Sequence, residues 1–226
     1  MTPITLAVLD LAGTTAQDNG IVEKAVRTAV HTITDGNTPP HLAERFHAMR
    51  GGSKIDMFRH ILDGDAHLAD RAHDLFEQDL LERIRAGQVR PIPGAADTLA
   101  HLRDRGIRTA LTTGFSPAVR DELLDVLGWR PLIDLALSPR DAGRGRPHPD
   151  LIWTAALRLH AGSCTSIAVA GDTSNDLHAG TRAGAGIVAG VLTGAHGRER
   201  LELAPHTHIL DTVNGLLPLI DGARGE

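Results

Sequence analysis

Ile4-Thr5-Leu6-Ala7-Val8-Leu9-Asp10-Leu11-Ala12-Gly13-Thr14-Thr15 decides how the rest of the chain reads: a short apolar run ends on a carboxylate and a cluster of small residues. An uninterrupted apolar run of this length suits a strand buried on both faces, and the Gly and Thr cluster suits the loop it feeds. Similar runs recur at Ile107–Leu111, Ile133–Leu137, Ile167–Ala170 and Ile187–Leu192, alternating with helical periodicity over 117–127, 149–160 and 174–184. The alternation predicts an α/β fold, a Rossmann-like parallel sheet with helices on both faces, whose ligands gather at the carboxyl ends of the strands.

Between these units the pattern changes. Segments 21–33, 40–48, 54–63 and 66–86 all read as helices, and the stretch closes at Pro91-Ile92-Pro93-Gly94, a turn-rich hinge. The expected division is therefore an α/β core domain of residues 1–18 and 89–226 with an inserted helical cap domain, 19–88.

Composition narrows the function. The 226 residues carry a formal charge of −5, 3% aromatic residues and no Tyr, which argues against a nucleic-acid partner that needs basic tracks and stacking rings. No apolar run reaches the ~18 residues of a membrane span, and the first residues lack a signal-peptide pattern, so the expectation is a cytoplasmic protein without a membrane partner. Cys164, the single cysteine, excludes an intrachain disulfide and reads as a small buried hydrophobe. Among 23 basic Lys and Arg residues the only lysines are Lys24 and Lys54, and an amine can do covalent chemistry that a guanidinium cannot.

Four features fall at or near predicted strand ends. Asp10, leaving the first strand, is a candidate nucleophile, although such an Asp also suits a turn or helix cap. Thr113 and Gly114, after Ile107–Leu111, offer a hydroxyl and a backbone N–H to an anion. Arg146, in Gly145-Arg146-Pro147, is a fixed cation just before a helix. Asp172 and Asp176 lie four residues apart where a helix begins, a spacing that suits either Mg²⁺ or a helix cap followed by a solvated Asp. The histidines, including His148, His206 and His208, read as solvated or core-edge residues. No Walker-type phosphate loop and no nucleophile elbow occurs.

In this order the four features resemble the motifs of the haloacid dehalogenase superfamily of Asp-nucleophile phosphotransferases. The resemblance implies that Asp10 attacks phosphorus, that Thr113 and Gly114 bind the phosphoryl group, and that Arg146 offsets its charge. It also implies that Asp10, the Ala12 carbonyl and Asp172 ligate Mg²⁺, and that Asp176 orients the site. Thr14, Arg50 and Gly51 are placed with the groups that bind substrate or phosphate, and the 20–88 helices become a cap that closes over the sheet.

One departure sets the subtype. Most phosphatases of the superfamily carry a second Asp two residues after the nucleophile as general acid, and this chain has Ala12 there. Asp-x-Ala-Gly-Thr-Thr is instead similar to the phosphonatase subgroup, in which a cap lysine forms a Schiff base with an aldehyde and the imine serves as electron sink. Gly51-Gly52-Ser53-Lys54-Ile55-Asp56 resembles the segment that carries that lysine. Lys54 then has two readings, a solvated residue in a helix first turn capped by Ser53 or an amine facing the site. Met57 stands where that family has a His, and Arg50 where it has an apolar residue, so the carbon skeleton of the substrate stays open. The sequence thus predicts a Mg²⁺-dependent hydrolase of a small phosphonate, monomeric or dimeric through the cap. A phosphatase of a small phosphorylated metabolite and a catalytically lapsed phospho-ligand sensor are the alternatives.

Overall fold

The computed structural model describes the backbone of residues 2–224 and the side-chain surroundings of 2–222. The opening apolar run forms β1 (Leu6–Asp10), buried throughout. A two-residue strand, β2 (Ala16–Gln17), leads into four helices: α1 (Ile21–Ile33), α2 (Leu42–Ala48), α3 (Lys54–Ile61) and α4 (Ala66–Arg85). The chain returns through β3 (Arg90–Pro91), which pairs antiparallel with β2, so the outgoing and returning passages lie side by side. There follow α5 (Ala95–Asp104), β4 (Arg108–Thr112), α6 (Pro117–Leu127), β5 (Leu135–Leu137), α7 (Pro139–Ala142), α8 (Asp150–Arg158) and β6 (Ile167–Gly171). The chain ends in α9 (Ser174–Ala183), β7 (Ile187–Val191), α10 (Arg198–Glu202), β8 (His208–Leu210) and α11 (Leu216–Arg224).

The six parallel strands stand in the order β5-β4-β1-β6-β7-β8. The chain steps from β1 to one side for β4 and β5 and to the other for β6 to β8, which makes the carboxyl end of β1 the switch point where such sheets bind ligands. Alternate residues of β1 serve opposite faces. Ala7 and Leu9 join a core with Leu99 of α5, Leu123 of α6 and Ile220 of α11, whereas Leu6 and Val8 pack with Ile152 of α8 and Ala179 of α9.

The four helices between β2 and β3 are amphipathic and bury their apolar stripes on one another. On α1 the buried set is Ile21, Val22, Ala25, Val26, Ala29, Val30 and Ile33, the i, i+4 pattern of one helix face. It packs along α4, whose first turn is capped by Asp65 accepting from the Leu68 N–H at 2.9 Å. Phe58 of α3 meets Phe76 of α4 edge to face, with centroids 5.5 Å apart.

Two expectations are corrected. Cys164 is exposed, because it begins the short turn Cys164–Ser166 that precedes β6 and does not lie in the strand itself. The strand expected over 133–137 begins at Leu135, since the turn Arg130–Leu132, with Pro131, must finish first and Asp134 spends its side chain accepting from the Thr109 N–H at 2.7 Å. His208, read as solvated or core-edge, lies half-buried in the edge strand β8, whose three residues are too few to show as an apolar run.

Phe58→Ala should lower unfolding stability by about 3–5 kcal/mol, measured by urea denaturation. A loss under ~1 kcal/mol, the size typical of surface substitutions, would contradict the packing described.

Candidate active site

Asp10 is the last residue of β1, in register with Thr112 of β4, and its side chain is buried. Beyond it the chain turns sharply: Thr15 donates its hydroxyl to the Asp10 and Leu11 carbonyls, both at 3.0 Å. Gly13 takes φ 94° in this turn, where any side chain would run into the Asp172 carboxylate. The loop after β1 is thereby pressed against the end of β6.

Asp172 follows β6, and a capping box starts α9 immediately after it. Thr173 is the N-cap, and Asp176 accepts from the Thr173 N–H at 3.0 Å and from its hydroxyl at 2.5 Å. Because Thr173 does the capping, Asp172 is free for another role. It accepts from the Ala195 N–H at 2.6 Å and from the Thr14 hydroxyl at 3.4 Å. Thr14 thus lies behind the cavity wall, as a support of Asp172.

Arg146 arrives from the loop before α8 and donates through one guanidinium nitrogen to both Asp10 and Asp176. All of these groups are buried. Burial and the neighbouring Asp176 outweigh Arg146 and push the Asp10 carboxyl up to about 6. Burial, with Asp10 and Asp176 nearby, also pushes Asp172 well above the usual carboxylate range. Acidic charge therefore exceeds what Arg146 offsets on this side, an environment suited to a hard divalent cation. Among the described residues no three His, Cys, Asp or Glu side chains form a ready metal cluster. The Asp10 and Asp172 carboxylates line one cavity together with Ala12, a sparse donor set of the kind Mg²⁺ accepts when substrate and water complete its shell.

Opposite the sheet lies Lys54, first residue of α3 and buried. Its amine donates to the Gly52 carbonyl at 3.3 Å and sits 5.2 Å from the Phe115 ring centroid. Burial, then the neighbouring Arg146, lowers its pKa from 10.5 to about 8, against the opposing pull of Asp10. A cavity of about 350 Å³ is lined by Asp10, Lys54, Arg146 and Asp172 together, with Thr113 and Gly114 on the β4 side and Arg50, Gly51 and Met57 on the helical side. The Gly52 carbonyl approaches so near Gly114 that a side chain there would collide with it. Asn175 of α9 donates to the Arg50 carbonyl at 2.8 Å, and Gly51 lies against Thr173. Phe58, by contrast, points into the packing between the helices. Thr113 accepts from the Phe115 N–H at 3.2 Å, and Ser116, not Thr113, caps α6.

The sequence reading missed the loop after β7. Thr193 donates to the Gly13 carbonyl at 2.7 Å, and Ala195 holds Asp172. His196 is buried there and accepts from the Ser174 N–H at 3.0 Å, while burial pushes its pKa down to about 4, so the ring is neutral with its proton on Nε2. The available signal was position alone: these residues follow the fifth apolar run at the carboxyl end of the sheet.

The parallel sheet, the Asp at its switch point and the acidic pair around a helix start define a class of hydrolases. The sequence matches the family model of the haloacid dehalogenase-like hydrolases over residues 4–184, and the chain belongs to that family. It is a hydrolase. Among curated proteins it is similar to a phosphonoacetaldehyde hydrolase of Bacillus cereus, 30% identical over 136 residues, 57% of this chain and 50% of that protein. The match thus spans about half the length of that relative. Among solved structures it superposes on a hydrolase from Pseudomonas syringae (TM-score 0.82, 24% identity, 97% of this chain and 99% of the other). It also superposes on a phosphonoacetaldehyde hydrolase-like protein from Oleispira antarctica (TM-score 0.79, 23% identity, 99% and 95%). These likenesses establish the fold.

With only two lysines, the site can be titrated directly. In ¹³Cε-lysine-labelled protein, the resonance that disappears in Lys54→Ala should titrate near pH 8; a midpoint at the ordinary 10.5 would contradict its buried position.

Proposed function

We propose that the chain hydrolyses a small phosphonate of the phosphonoacetaldehyde type, using Asp10 as nucleophile toward phosphorus and Lys54 as an imine-forming amine. The observation that carries the reading is that the Lys54 amine and the Asp10 carboxylate line one cavity while Ala12 offers no general acid. The similarity to phosphonoacetaldehyde hydrolase supports it.

Lys54 enters as the neutral amine, a form that its lowered pKa makes accessible near neutral pH. Its nitrogen adds to the aldehyde carbon, water leaves, and a protonated imine forms. The Asp10 carboxylate then attacks phosphorus, the carbon–phosphorus bond breaks, and its electron pair moves into the imine to give an enamine. Protonation at carbon and hydrolysis by water release the aldehyde and restore the amine, while a second water cleaves the aspartyl phosphate to free phosphate and Asp10. Leaving-group activation thus comes from the imine, and an acid at the Ala12 position is not needed.

Asp10, Asp172 and the Ala12 carbonyl would hold Mg²⁺, which when bound screens the carboxylate nucleophile from the substrate's negative charge. Arg146 offsets phosphoryl charge and is itself oriented by Asp176. Thr113 and the Gly114 N–H supply phosphoryl contacts, and residues 19–88 act as a cap that excludes water from the reacting groups.

Asp10→Asn should abolish turnover while circular dichroism keeps the wild-type signature, since the amide is nearly isosteric, even though loss of the buried charge beside Arg146 lowers stability. Retention of more than a small fraction of activity would remove the aspartyl-phosphate route. Lys54→Arg preserves charge yet should destroy carbon–phosphorus cleavage, because a guanidinium with a pKa above ~12 cannot form the imine. Ala12→Asp should raise any weak phosphomonoesterase activity, within the ~10²–10⁴-fold that a general acid contributes. Wild-type behaviour of Lys54→Arg on phosphonoacetaldehyde, without a borohydride-trapped adduct on the wild-type protein, would replace this reading with that of a phosphatase.

A further inference from the structure

The phosphonate reading leaves one cation of the cavity without work. Arg50 stands between α2 and α3, half-buried, and lines the same cavity as Asp10 and Lys54. Its guanidinium lies 5.1 Å from the Phe46 ring centroid, and no ion pair or side-chain hydrogen bond engages it among the described residues. Its electrostatic neighbour Glu23 is already held by Arg27 at 2.8 Å. The Arg50 backbone is pinned by Asn175 through its carbonyl. Both ends of the residue are thus positioned, one by the core and one by an aromatic face, while the charged fork itself is unsatisfied.

A permanently charged, two-pronged donor held ready in a small cavity is suited to a carboxylate, which it meets with two parallel hydrogen bonds. The phosphoryl group has its own partners on the sheet side, where Arg146, Thr113 and Gly114 surround Asp10. We infer that Arg50 is a carboxylate-binding, specificity-determining residue and that the substrate is a small phosphonate whose carbon skeleton carries a carboxylate as well as the carbonyl that meets Lys54. This rests on the phosphonate reading above and narrows its substrate class. Met57, Phe46 and Val22 supply an apolar wall to the same cavity of about 350 Å³, which suits a small carbon skeleton between the two anionic ends.

Two inert ligands separate the possibilities, since phosphonoacetate and phosphonoacetamide differ in charge at one end only. Binding to the wild-type protein in Mg²⁺, measured by calorimetry, should favour phosphonoacetate by about 10- to 100-fold, the range of a charge-assisted pair. In Arg50→Met that preference should vanish while phosphonoacetamide binds as before, and Arg50→Lys should retain part of it. Equal affinity of the two ligands for the wild-type protein overturns the proposal whatever the variants do. So does a preference that survives in Arg50→Met, which would trace it to Lys54 or to metal chelation, or a loss of both ligands from a folded Arg50→Met, which would put Arg50 on the phosphoryl group. If neither ligand binds the wild-type protein, the phosphonate reading itself fails, and this proposal with it.

Discussion

A single guanidinium joined to two carboxylates in the dry end of the sheet is the constraint on which the remainder of the site depends. Arg146 reaches Asp10 and Asp176, and all of them are buried. Breaking such a buried arrangement by removing one partner typically costs about 3–5 kcal/mol, because the others are left uncompensated. The groups come from separate places in the chain: the end of β1, the loop before α8 and the first turn of α9. Only a sheet in which β6 lies beside β1 brings them within hydrogen-bond reach. The capping box matters for the same reason, because Asp176 can hold Arg146 with one oxygen while its other fixes the start of α9.

Much of this was legible in the sequence, for a physical reason. Strands buried on both faces leave uninterrupted apolar runs, and the carboxylates at their ends stand out against them, which is how Asp10 and Asp172 could be placed before any geometry. Lys54 was left with two readings, yet its phase held the answer. Lys54, Met57, Phe58 and Ile61 follow the i, i+3, i+4, i+7 spacing of one helix face, and that face is the buried one. A charge on an otherwise apolar stripe is an unusual expense for a helix unless something faces it.

What stayed hidden depends on contacts rather than on pattern. The loop after β7 has no motif, and its service to the site is rendered by a Thr193 hydroxyl, an Ala195 N–H and a neutral His196, groups that gain meaning only once Gly13 and Asp172 are beside them. Cys164 misled because the tendency of cysteine toward the interior is statistical, whereas its exposure is set by a turn that precedes β6.

Charge is partly segregated across the cavity: Asp10 and Asp172 stand with Arg146 on the sheet side, and Lys54 and Arg50 come from the helical insertion. The chemistry of the basic residues is sorted as well. In a chain that uses arginine almost everywhere, Arg50 and Arg146 are charges that burial cannot remove, because a guanidinium keeps its proton throughout the accessible pH range. Lys54 is the one cation of the cavity whose proton is negotiable, and its surroundings contend over it: burial, Arg146 and Arg50 favour the free amine, while Asp10 and Asp172 favour the ammonium. Burial is the largest of these influences, which sets the balance near neutrality and not at the ordinary lysine value. An arginine at that position would answer the same electrostatic need as its neighbours, whereas the lysine amine can also give up its proton near neutrality.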